Sequence, residues 1–159
     1  MSNTQADNPS STISIVNKKA RFNYEIIDTY ETGLILVGSE VKSLRQGRAS
    51  INEAYVRIIK GEPWLVGSHF SPYEQAGKEN HDPDRNRKLL MHRREIKAVL
   101  GKVSERGFTL VPLRLYFNSR GLATLKIGLA KGKSTHDKRD RIRDRDVTRD
   151  LQRQLKRYR

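Results

Sequence analysis

Short runs of alternating apolar and polar residues, separated by turn sequences, predict a mainly β fold for this chain. Two stretches with helical spacing interrupt these runs, and a basic segment follows them. A flat sheet of about six short strands would leave both faces uncovered, whereas closure of the sheet buries one face. We therefore expect an OB-like closed antiparallel barrel of about six strands, with two or three accessory helices and a basic C-terminal tail.

The 159 residues are enough for about one domain with tails. We expect a disordered segment over residues 1–12, the barrel over residues 13–130 and the tail over residues 131–159. The start lacks the features of a secretory signal, and no apolar run approaches the ~20 residues of a membrane span. The chain has no cysteine, which excludes disulfides and thiolate metal sites. We therefore expect a soluble, cytoplasmic protein.

The first hairpin is predicted from two strand patterns, at residues 24–30 and 34–37. They flank residues 31–33, a Gly-containing connection typical of antiparallel strands. A short helix should follow, because Ser39 can act as its N-cap and Gly47 lies where it would end.

The second hairpin is predicted from the patterns at residues 55–59 and 64–70, which flank the turn sequence at residues 60–63. Residues 71–88 carry many charges and several Pro and Gly residues without a sustained apolar period. We expect this stretch to be an exposed loop.

A second helix and a last hairpin complete the predicted barrel. The helix is indicated by apolar residues that fall mostly on one side, namely Leu89, Ile96, Val99, Leu100 and Val103. His92 lies at its capping position, and Gly107 is expected to end it. Alternation over residues 109–117 and 123–129 indicates the last hairpin. Pro112 must occupy an edge, a bulge or an unpaired position there, because it has no N–H to donate.

The charge of the chain indicates a polyanionic partner, and nucleic acid is the first to consider. Thirty-two Lys and Arg residues against 18 Asp and Glu residues give a net charge of +14. The tail has twelve basic and five acidic residues, so it carries half of that charge. It also has a thin apolar stripe of Ile142, Val147, Leu151, Leu155 and Tyr158. Such a tail is either a solvated or disordered basic end, or a segment that folds when RNA neutralises its charge.

Catalytic and metal-binding motifs are largely missing from the sequence. Residues 128–134 look like a phosphate-binding loop, but three residues separate the glycines where the motif requires four. The four histidines lack metal-site spacing, and no nucleophile elbow is present. We therefore expect no enzyme activity, no cofactor and no metal. His69, on a predicted strand, is expected to be a packed residue.

Several residues are candidates for RNA contacts. Lys131 and Lys133 suit phosphate, and His136 can stack on a base. Arg45 lies in a basic turn with Gly47, where the backbone can approach phosphate. Seven aromatic residues on strands or loops are stacking platforms or, more commonly, core residues: Tyr24, Tyr30, Tyr55, Trp64, Phe70, Tyr73 and Tyr116.

Four segments together resemble the SmpB family of tmRNA-binding (SsrA-binding) proteins. They are N-K-K-A-R-F-N-Y at residues 17–24, E-T-G-L-I-L-V-G-S-E-V-K-S-L-R-Q-G at 31–47, R-K-L-L-M-H-R-R-E-I at 87–96 and K-I-G-L-A-K-G-K at 126–133, followed by H-D-K-R at 136–139. The resemblance extends from about residue 13 to the basic tail. It implies an OB-like barrel and a protein that brings tmRNA to ribosomes stalled without a codon.

The resemblance also implies roles for individual residues. Glu31, Leu90 and His92 correspond to the family's tmRNA-binding face, with His92 standing where some members have Asn. The tmRNA contacts implied by the matching basic segments are Asn17, Lys18, Arg21 and Arg45. Lys131, Lys133 and His136 would then lie in the ribosome's decoding centre or mRNA channel, together with Asp137, Lys138 and Arg139, which match the family's D-K-R element.

The partners implied are the tRNA-like domain of tmRNA and small-subunit rRNA, with alanyl-tRNA synthetase and elongation factor Tu reached indirectly through tmRNA. A monomer is expected, since a strongly basic surface repels its copies. Two other classes stay open from the residues alone. A generic or ribosomal OB protein would share the charge and the barrel, and a nucleotide hydrolase would need a complete phosphate loop.

Overall fold

The structure, a computed structural model, describes residues 13–104, 107–133 and 135–157. The predicted disordered segment at residues 1–12 lies outside the described residues, as does Tyr158 of the apolar stripe. The strands are β1 Ser14–Val16, β2 Tyr24–Leu34, β3 Ala49–Ser50, β4 Tyr55–Ile59, β5 Glu62–Val66, β6 His69–Phe70, β7 Arg87–Leu90, β8 Phe108–Phe117 and β9 Ala123–Gly132. The helices are α1 Ala20–Asn23, α2 Gly38–Arg45, α3 Arg93–Val103 and α4 Thr135–Arg157, with a 3-10 helix at Glu74–Glu79.

Six strands of the described chain close into a barrel. Their order is β8-β4-β5-β7-β2-β9, and the ring closes where β9 pairs with β8. Each pairing is antiparallel. The short strand β1 pairs with β8 outside the ring, and β3 pairs with β6 separately. The OB-like closed barrel predicted from the sequence is confirmed.

The barrel is filled by apolar side chains from the strands, the helices α2 and α3 and the segment that leads into β4. Those at most 2% exposed are Leu44, Ile51, Leu65, Phe70, Leu89, Val99, Leu110, Leu115, Leu125, Ile127 and Leu129. A second, smaller apolar cluster lies outside the barrel, where Ala20 of α1 covers Val111, Leu113 and Ala130. The main core therefore stabilises the ring, and the small cluster fixes α1 against the β8–β9 hairpin.

The first predicted hairpin is wrong, because β2 runs without a turn through residues 31–33. Backbone pairing explains this, since β9 lies opposite Glu31, Thr32 and Gly33. Gly33 serves a packing purpose instead. A Cβ at this position would lie 3.2 Å from the Cβ of Leu90 on β7, so glycine lets the two strands approach.

The sixth strand of the ring is β7, within a stretch predicted as loop and helix. The predicted strand at residues 34–37 is replaced by the approach to α2. Leu89, predicted on a helix, lies on β7 and is 1% exposed. The helix α3 begins at Arg93 and ends at Val103, four residues before Gly107. His92 is its N-cap residue as predicted, but no side-chain cap bond forms among the described residues.

The helix α2 has a different N-cap from the one predicted. Val37 is the N-cap residue, and its N–H donates to Oε1 of Glu40 at 3.0 Å. Ser39 lies inside the helix, and its hydroxyl is 2.8 Å from Nδ1 of His81. Gly47 ends the helix as predicted, with φ of 70° and its N–H donating to the carbonyl of Leu44 at 2.9 Å.

The two remaining hairpins are confirmed, with adjusted limits. Lys60 and Gly61 have φ values of 51° and 76°, which makes the β4–β5 turn a two-residue turn. The predicted strand at residues 64–70 is divided into β5 and β6. The β8–β9 hairpin forms where it was predicted, but its register shifts between Pro112 and Arg114. The alternation of β8 changes face at this shift, since Val111 and Leu113 lie in the small outer cluster and Leu115 and Phe117 lie in the main core. Pro112 therefore lies at a bulge, one of the three positions predicted for it.

Candidate nucleic-acid interface

The candidate residues gather near the two ends of the barrel. At one end β2 and β8 finish and β9 begins, and this end carries Glu31, Leu90, His92 and Arg45. At the other end β2 begins and β9 finishes beside α1 and the start of α4. We call the outer face that carries Glu31, Leu90 and Tyr116 the Glu31 surface, and the opposite end the α1 end.

The strand register forms the Glu31 surface. Leu90 lies opposite Gly33, Gly33 opposite Thr124, and Thr124 opposite Tyr116. These four residues make one row across β7, β2, β9 and β8. Glu31, two residues before Gly33, points to the same outer face because side chains alternate along a strand. The register thus brings together Glu31 and Leu90, which are far apart in sequence.

A polar network fixes the carboxylate of Glu31. The hydroxyl of Tyr116 donates to Oε1 of Glu31 at 2.7 Å. The guanidinium of Arg114 lies 4.6 Å from the centre of the Tyr116 ring, and its Nε donates to the hydroxyl of Ser14 at 2.6 Å. Glu31 is therefore held with one oxygen occupied and is exposed to solvent. A preorganised acceptor of this kind suits the N–H groups of a base edge.

The pKa of Tyr116 records the same contacts. Burial of the ring, the hydrogen bond to Glu31 and the charge of Glu31 raise the pKa of Tyr116 to about 12, against the opposing effect of Arg114. The phenol therefore stays protonated throughout the physiological range. It acts as a constant donor to Glu31.

Leu90 and His92 extend the Glu31 surface beyond the strands. Leu90 is 55% exposed although it is aliphatic, and it rests against the backbone of Gly33. His92 is exposed at the N-cap of α3 and lines a shallow pocket with Arg94 and Glu95. An apolar side chain beside hydrogen-bonding groups resembles the mixed surface that receives unstacked bases.

Arg45 supplies a cation at the same end of the barrel. It is the last residue of α2, and its guanidinium lies 5.9 Å from the centre of the Phe117 ring at the end of β8. Its side chain is exposed. The structure therefore groups Arg45 with Glu31, Leu90 and His92.

Asn17, Lys18 and Arg21 are grouped differently, because the chain leads from β1 past the β8 bulge to the α1 end. Asn17 is 6% exposed, and its Nδ2 donates to the carbonyl of Pro112 at 2.8 Å. Its side chain therefore holds the backbone in place and leaves little surface for RNA. Lys18 and Arg21 are exposed.

The residues at the start of the tail join the α1 end. The main-chain N–H of Lys133 donates to the carbonyl of Asn23 at 3.0 Å, and its Nζ donates to the carbonyl of Arg21 at 2.9 Å. Lys131 is exposed, with Nζ 5.2 Å from the centre of the Phe108 ring. The helix α4 then contains His136, Asp137, Lys138 and Arg139 in its first turns.

The helix α4 packs against α1. The guanidinium of Arg145 lies 5.7 Å from the centre of the Phe22 ring. Three residues of the apolar stripe, Ile142, Val147 and Leu151, are 46%, 58% and 55% exposed. The stripe is thus free for a further contact along the described part of the tail.

Sequence reasoning singled out Glu31 but missed the residues that hold it. Arg114 and Tyr116 alternate with buried residues on β8, a visible signal that both face outward. Their proximity to Glu31 requires the order β2-β9-β8, which no local pattern reveals. His69 is a correction in the other direction: it is exposed, and its Nδ1 lies 2.9 Å from Oδ1 of Asp84.

The described residues contain no group of three His, Asp or Glu side chains arranged to hold a metal. Likewise, none of the described helices is long and apolar enough to cross a membrane.

Comparison with known proteins gives a consistent result. The chain is similar to the SsrA-binding proteins of Rhodopirellula baltica, with 53% identity over 89% of this chain and 80% of that protein, and of Symbiobacterium thermophilum, with 54% identity over 88% and 89%. A solved chain described as tmRNA-SmpB in the bacterial ribosome superposes with a TM-score of 0.65. It is 46% identical and covers 77% of this chain and 86% of its own. The family model described as SmpB protein matches residues 14–157. The chain therefore belongs to the SmpB family.

Proposed function

We propose that this protein binds the tRNA-like domain of tmRNA through the Glu31 surface and delivers tmRNA to stalled ribosomes for trans-translation. The relatives' description as SsrA-binding proteins, at 53% and 54% identity, carries this proposal. The solved tmRNA-SmpB structure adds support for the ribosome as the second partner. The protein acts as an RNA-binding protein and not as an enzyme.

The chemistry of the Glu31 surface supports its role toward tmRNA. Leu90 offers an apolar face, the carboxylate of Glu31 is held as an acceptor, and Arg45 supplies a cation at the same end. Non-helical parts of a folded RNA expose base faces and edges that such a surface can bind. Phosphate contacts through the surrounding Lys and Arg side chains then add affinity without sequence preference.

The α1 end and the tail are proposed to serve the ribosome. Lys131 and Lys133 lie at this end, and α4 continues from it with Asp137, Lys138 and Arg139. In this proposal the tail lies in the decoding centre and the empty mRNA channel, where small-subunit rRNA neutralises its charge. Alanyl-tRNA synthetase and elongation factor Tu are reached through tmRNA, and the protein works as a monomer in the cytoplasm.

The identity of the RNA is tested by recovering it from bacterial lysate with the tagged full chain. We expect tmRNA to be enriched over rRNA relative to the input. A generic ribosomal OB protein would instead recover rRNA in proportion to its abundance in the lysate. That result would contradict the proposal. Reverse transcription and quantitative amplification of the two RNAs provide the measurement.

The proposed surface is tested by Leu90→Asp and His92→Ala, with Ile59→Asp as the matched control. Leu90 and Ile59 are both exposed aliphatic residues on strands, at 55% and 38%, but Ile59 lies at the β4–β5 turn. We expect weaker tmRNA binding for Leu90→Asp and His92→Ala, and near-native binding for Ile59→Asp. Equal affinity of all folded variants would locate the tmRNA site elsewhere.

A further inference from the structure

A cleft at the α1 end has features that the proposed tmRNA contacts do not use. It lies between α1 and the segment that leads into β4, with β8 as its floor, and its volume is about 210 Å³. Its walls include Asn23, Tyr24, Asn52, Tyr55 and Thr109. The cleft is thus lined by amide, hydroxyl and aromatic groups from three separate parts of the chain.

Contacts across the cleft fix the distance between its walls. The N–H of Lys18 donates to Oδ1 of Asn52 at 3.3 Å. The ammonium group of Lys19 forms an ion pair with Glu53. Asn17 anchors the start of α1 to the β8 bulge through Pro112. The cleft is therefore preformed and does not depend on a flexible loop.

Several polar groups in the cleft are free to bind a ligand. Among the described residues, the side chains of Asn23, Tyr24, Tyr55 and Thr109 have no hydrogen-bond partner. The side-chain amide nitrogen of Asn52 is also free, because only its oxygen accepts from Lys18. Amides and hydroxyls both donate and accept hydrogen bonds, whereas a bare phosphate only accepts them. This donor and acceptor set suits a nucleobase edge better than a phosphate.

The aromatic and charged groups around the cleft favour the same ligand. Tyr55 is 46% exposed at the edge of the cleft, so a face of its ring is open to a planar partner. Arg57 lies two residues further along β4 on the same outer face, and Lys18 is exposed on the segment whose backbone bonds to Asn52 beside the cleft. Neither side chain has an ion-pair partner within the described residues. Two cations can therefore contact the phosphates on either side of a bound base.

We propose that this cleft binds one unstacked nucleobase of an RNA, stacked on Tyr55 and hydrogen-bonded by Asn23, Asn52 and Thr109. The proposal rests on the RNA-binding function above but concerns a different surface, near the opposite end of the barrel from Glu31. The base can come from tmRNA or from rRNA. Both sources present the same chemistry, and the experiments below separate them.

The ligand class is tested by NMR on the isotope-labelled full chain with AMP, GMP, CMP, UMP and ribose 5-phosphate. At least one nucleotide should shift the side-chain amide signals of Asn23 and Asn52, and ribose 5-phosphate should leave them in place. Equal shifts with ribose 5-phosphate would identify a phosphate site and overturn the proposal. The proposal is also overturned if none of the four nucleotides shifts these amide signals.

The source of the base is tested with Tyr55→Ala and the control Tyr73→Ala, which removes a half-buried tyrosine that lies just before the 3-10 helix at Glu74–Glu79, outside the cleft. Loss of one base–aromatic stack corresponds to about 5- to 150-fold in Kd. We expect this loss for Tyr55→Ala toward either purified tmRNA or ribosomes, and near-native Kd values for Tyr73→Ala. The RNA that shows the loss supplies the base.

Native affinity of folded Tyr55→Ala for both RNAs would refute the cleft as a base-binding site. That failure differs from failure of the proposed function, since Leu90→Asp would still weaken tmRNA binding. Conversely, loss with Tyr55→Ala and none with Leu90→Asp would support the cleft and overturn the Glu31 surface.

Discussion

Replacing Glu40 by Ala should destabilise the barrel strongly, because Glu40 is the centre of a buried ionic cluster. The side chains of Glu40 and Arg87 are both fully buried and form an ion pair, and Arg85 forms a second ion pair with the same carboxylate. Glu40 also accepts the N–H of Val37 at the start of α2. One carboxylate thus connects α2 to β7 and to the loop that precedes it.

The magnitude follows from what Arg87 keeps after the change. Its Nη1 still donates to Ser68 Oγ at 3.0 Å and to the Arg85 carbonyl at 2.7 Å, and its Nη2 to the Pro83 carbonyl at 3.1 Å. Its Nε loses its acceptor, and a buried cation loses its counter-ion. Removing one partner of a buried pair costs about 3–5 kcal/mol, and the lost cap is part of the same total. We expect a loss of about 3–5 kcal/mol, equivalent to a Tm lower by roughly 6–20 °C.

Urea unfolding at pH 7 measures this free energy, and a double-mutant cycle tests its cause. Arg87→Met in the Glu40→Ala background removes the unpaired cation, so it should cost less than Arg87→Met alone and can restore stability. A loss below about 1 kcal/mol for Glu40→Ala would show that the pair contributes little. Fully additive losses in the cycle would show that the two residues act independently.

The stability should also depend on pH through Glu40. Burial alone would raise the pKa of Glu40, but the Val37 N–H and the guanidinium groups of Arg85 and Arg87 outweigh it and hold the pKa below its ordinary value of 4.5. A lowered folded-state pKa gives stability that is present above the unfolded-state pKa and is lost as pH falls through the folded-state value. Glu40→Gln should therefore reduce the loss of stability below about pH 4.5 relative to the native chain. Parallel curves for the two proteins would refute this assignment.

Three further results are expected. Affinity for tmRNA should fall steeply between roughly 50 and 200 mM salt, because each neutralised phosphate releases a counterion, and a flat dependence would exclude the basic surface as the binding surface. Tyr116→Phe should keep the fold and weaken tmRNA binding less than Glu31→Ala does, since the Glu31 acceptor remains but loses its fixed position. A larger loss of affinity for Tyr116→Phe than for Glu31→Ala in a filter-binding assay would contradict this role of the network. Replacing Asp137, Lys138 and Arg139 together by Ala should preserve tmRNA affinity and abolish tagging on stalled ribosomes. In a second variant the residues of the tail are scrambled at constant composition. Normal tagging by that variant would show that only the charge of the tail matters.

The sequence predicted the parts of the fold that depend on local pattern. Alternation is visible at the end of β8, where Arg114 and Tyr116 face outward between buried residues, and the β4–β5 turn has its own Lys-Gly signal. The continuous strand β2 was missed because Gly33 was interpreted as a turn residue. Glycine is needed at position 33 because Leu90, more than fifty positions away in sequence, approaches it closely, and no local pattern shows this contact.

The candidate site was predictable to a similar extent. The matching motifs located Glu31, Leu90 and His92, but they could not show that Arg87, in a stretch expected to be an exposed loop, is fully buried. Charge usually indicates exposure, and only the burial of Glu40 opposite Arg87 reverses that rule. The Tyr116 network was hidden for a different reason, since Tyr116 and Glu31 meet only through the strand order β2-β9-β8, which no local pattern reveals.

The arrangement of the two surfaces explains why a closed barrel is suited to this task. Glu31 and Tyr24 are seven residues apart on β2, so the Glu31 surface and the α1 end are separated by about 23 Å of strand. Every strand between them is paired on both sides within the ring, and the Glu40–Arg87 pair ties α2 to the same framework. In the proposed function, tmRNA is held at one end and the tail is inserted at the other, which requires this distance and orientation to stay constant. A rigid ring does so, because bending it would break backbone pairing on several strands at once. Loss of the Glu40–Arg87 pair should therefore reduce tagging on ribosomes more than it reduces tmRNA binding. Binding of tmRNA uses one end of the barrel, whereas tagging requires a fixed distance between both ends.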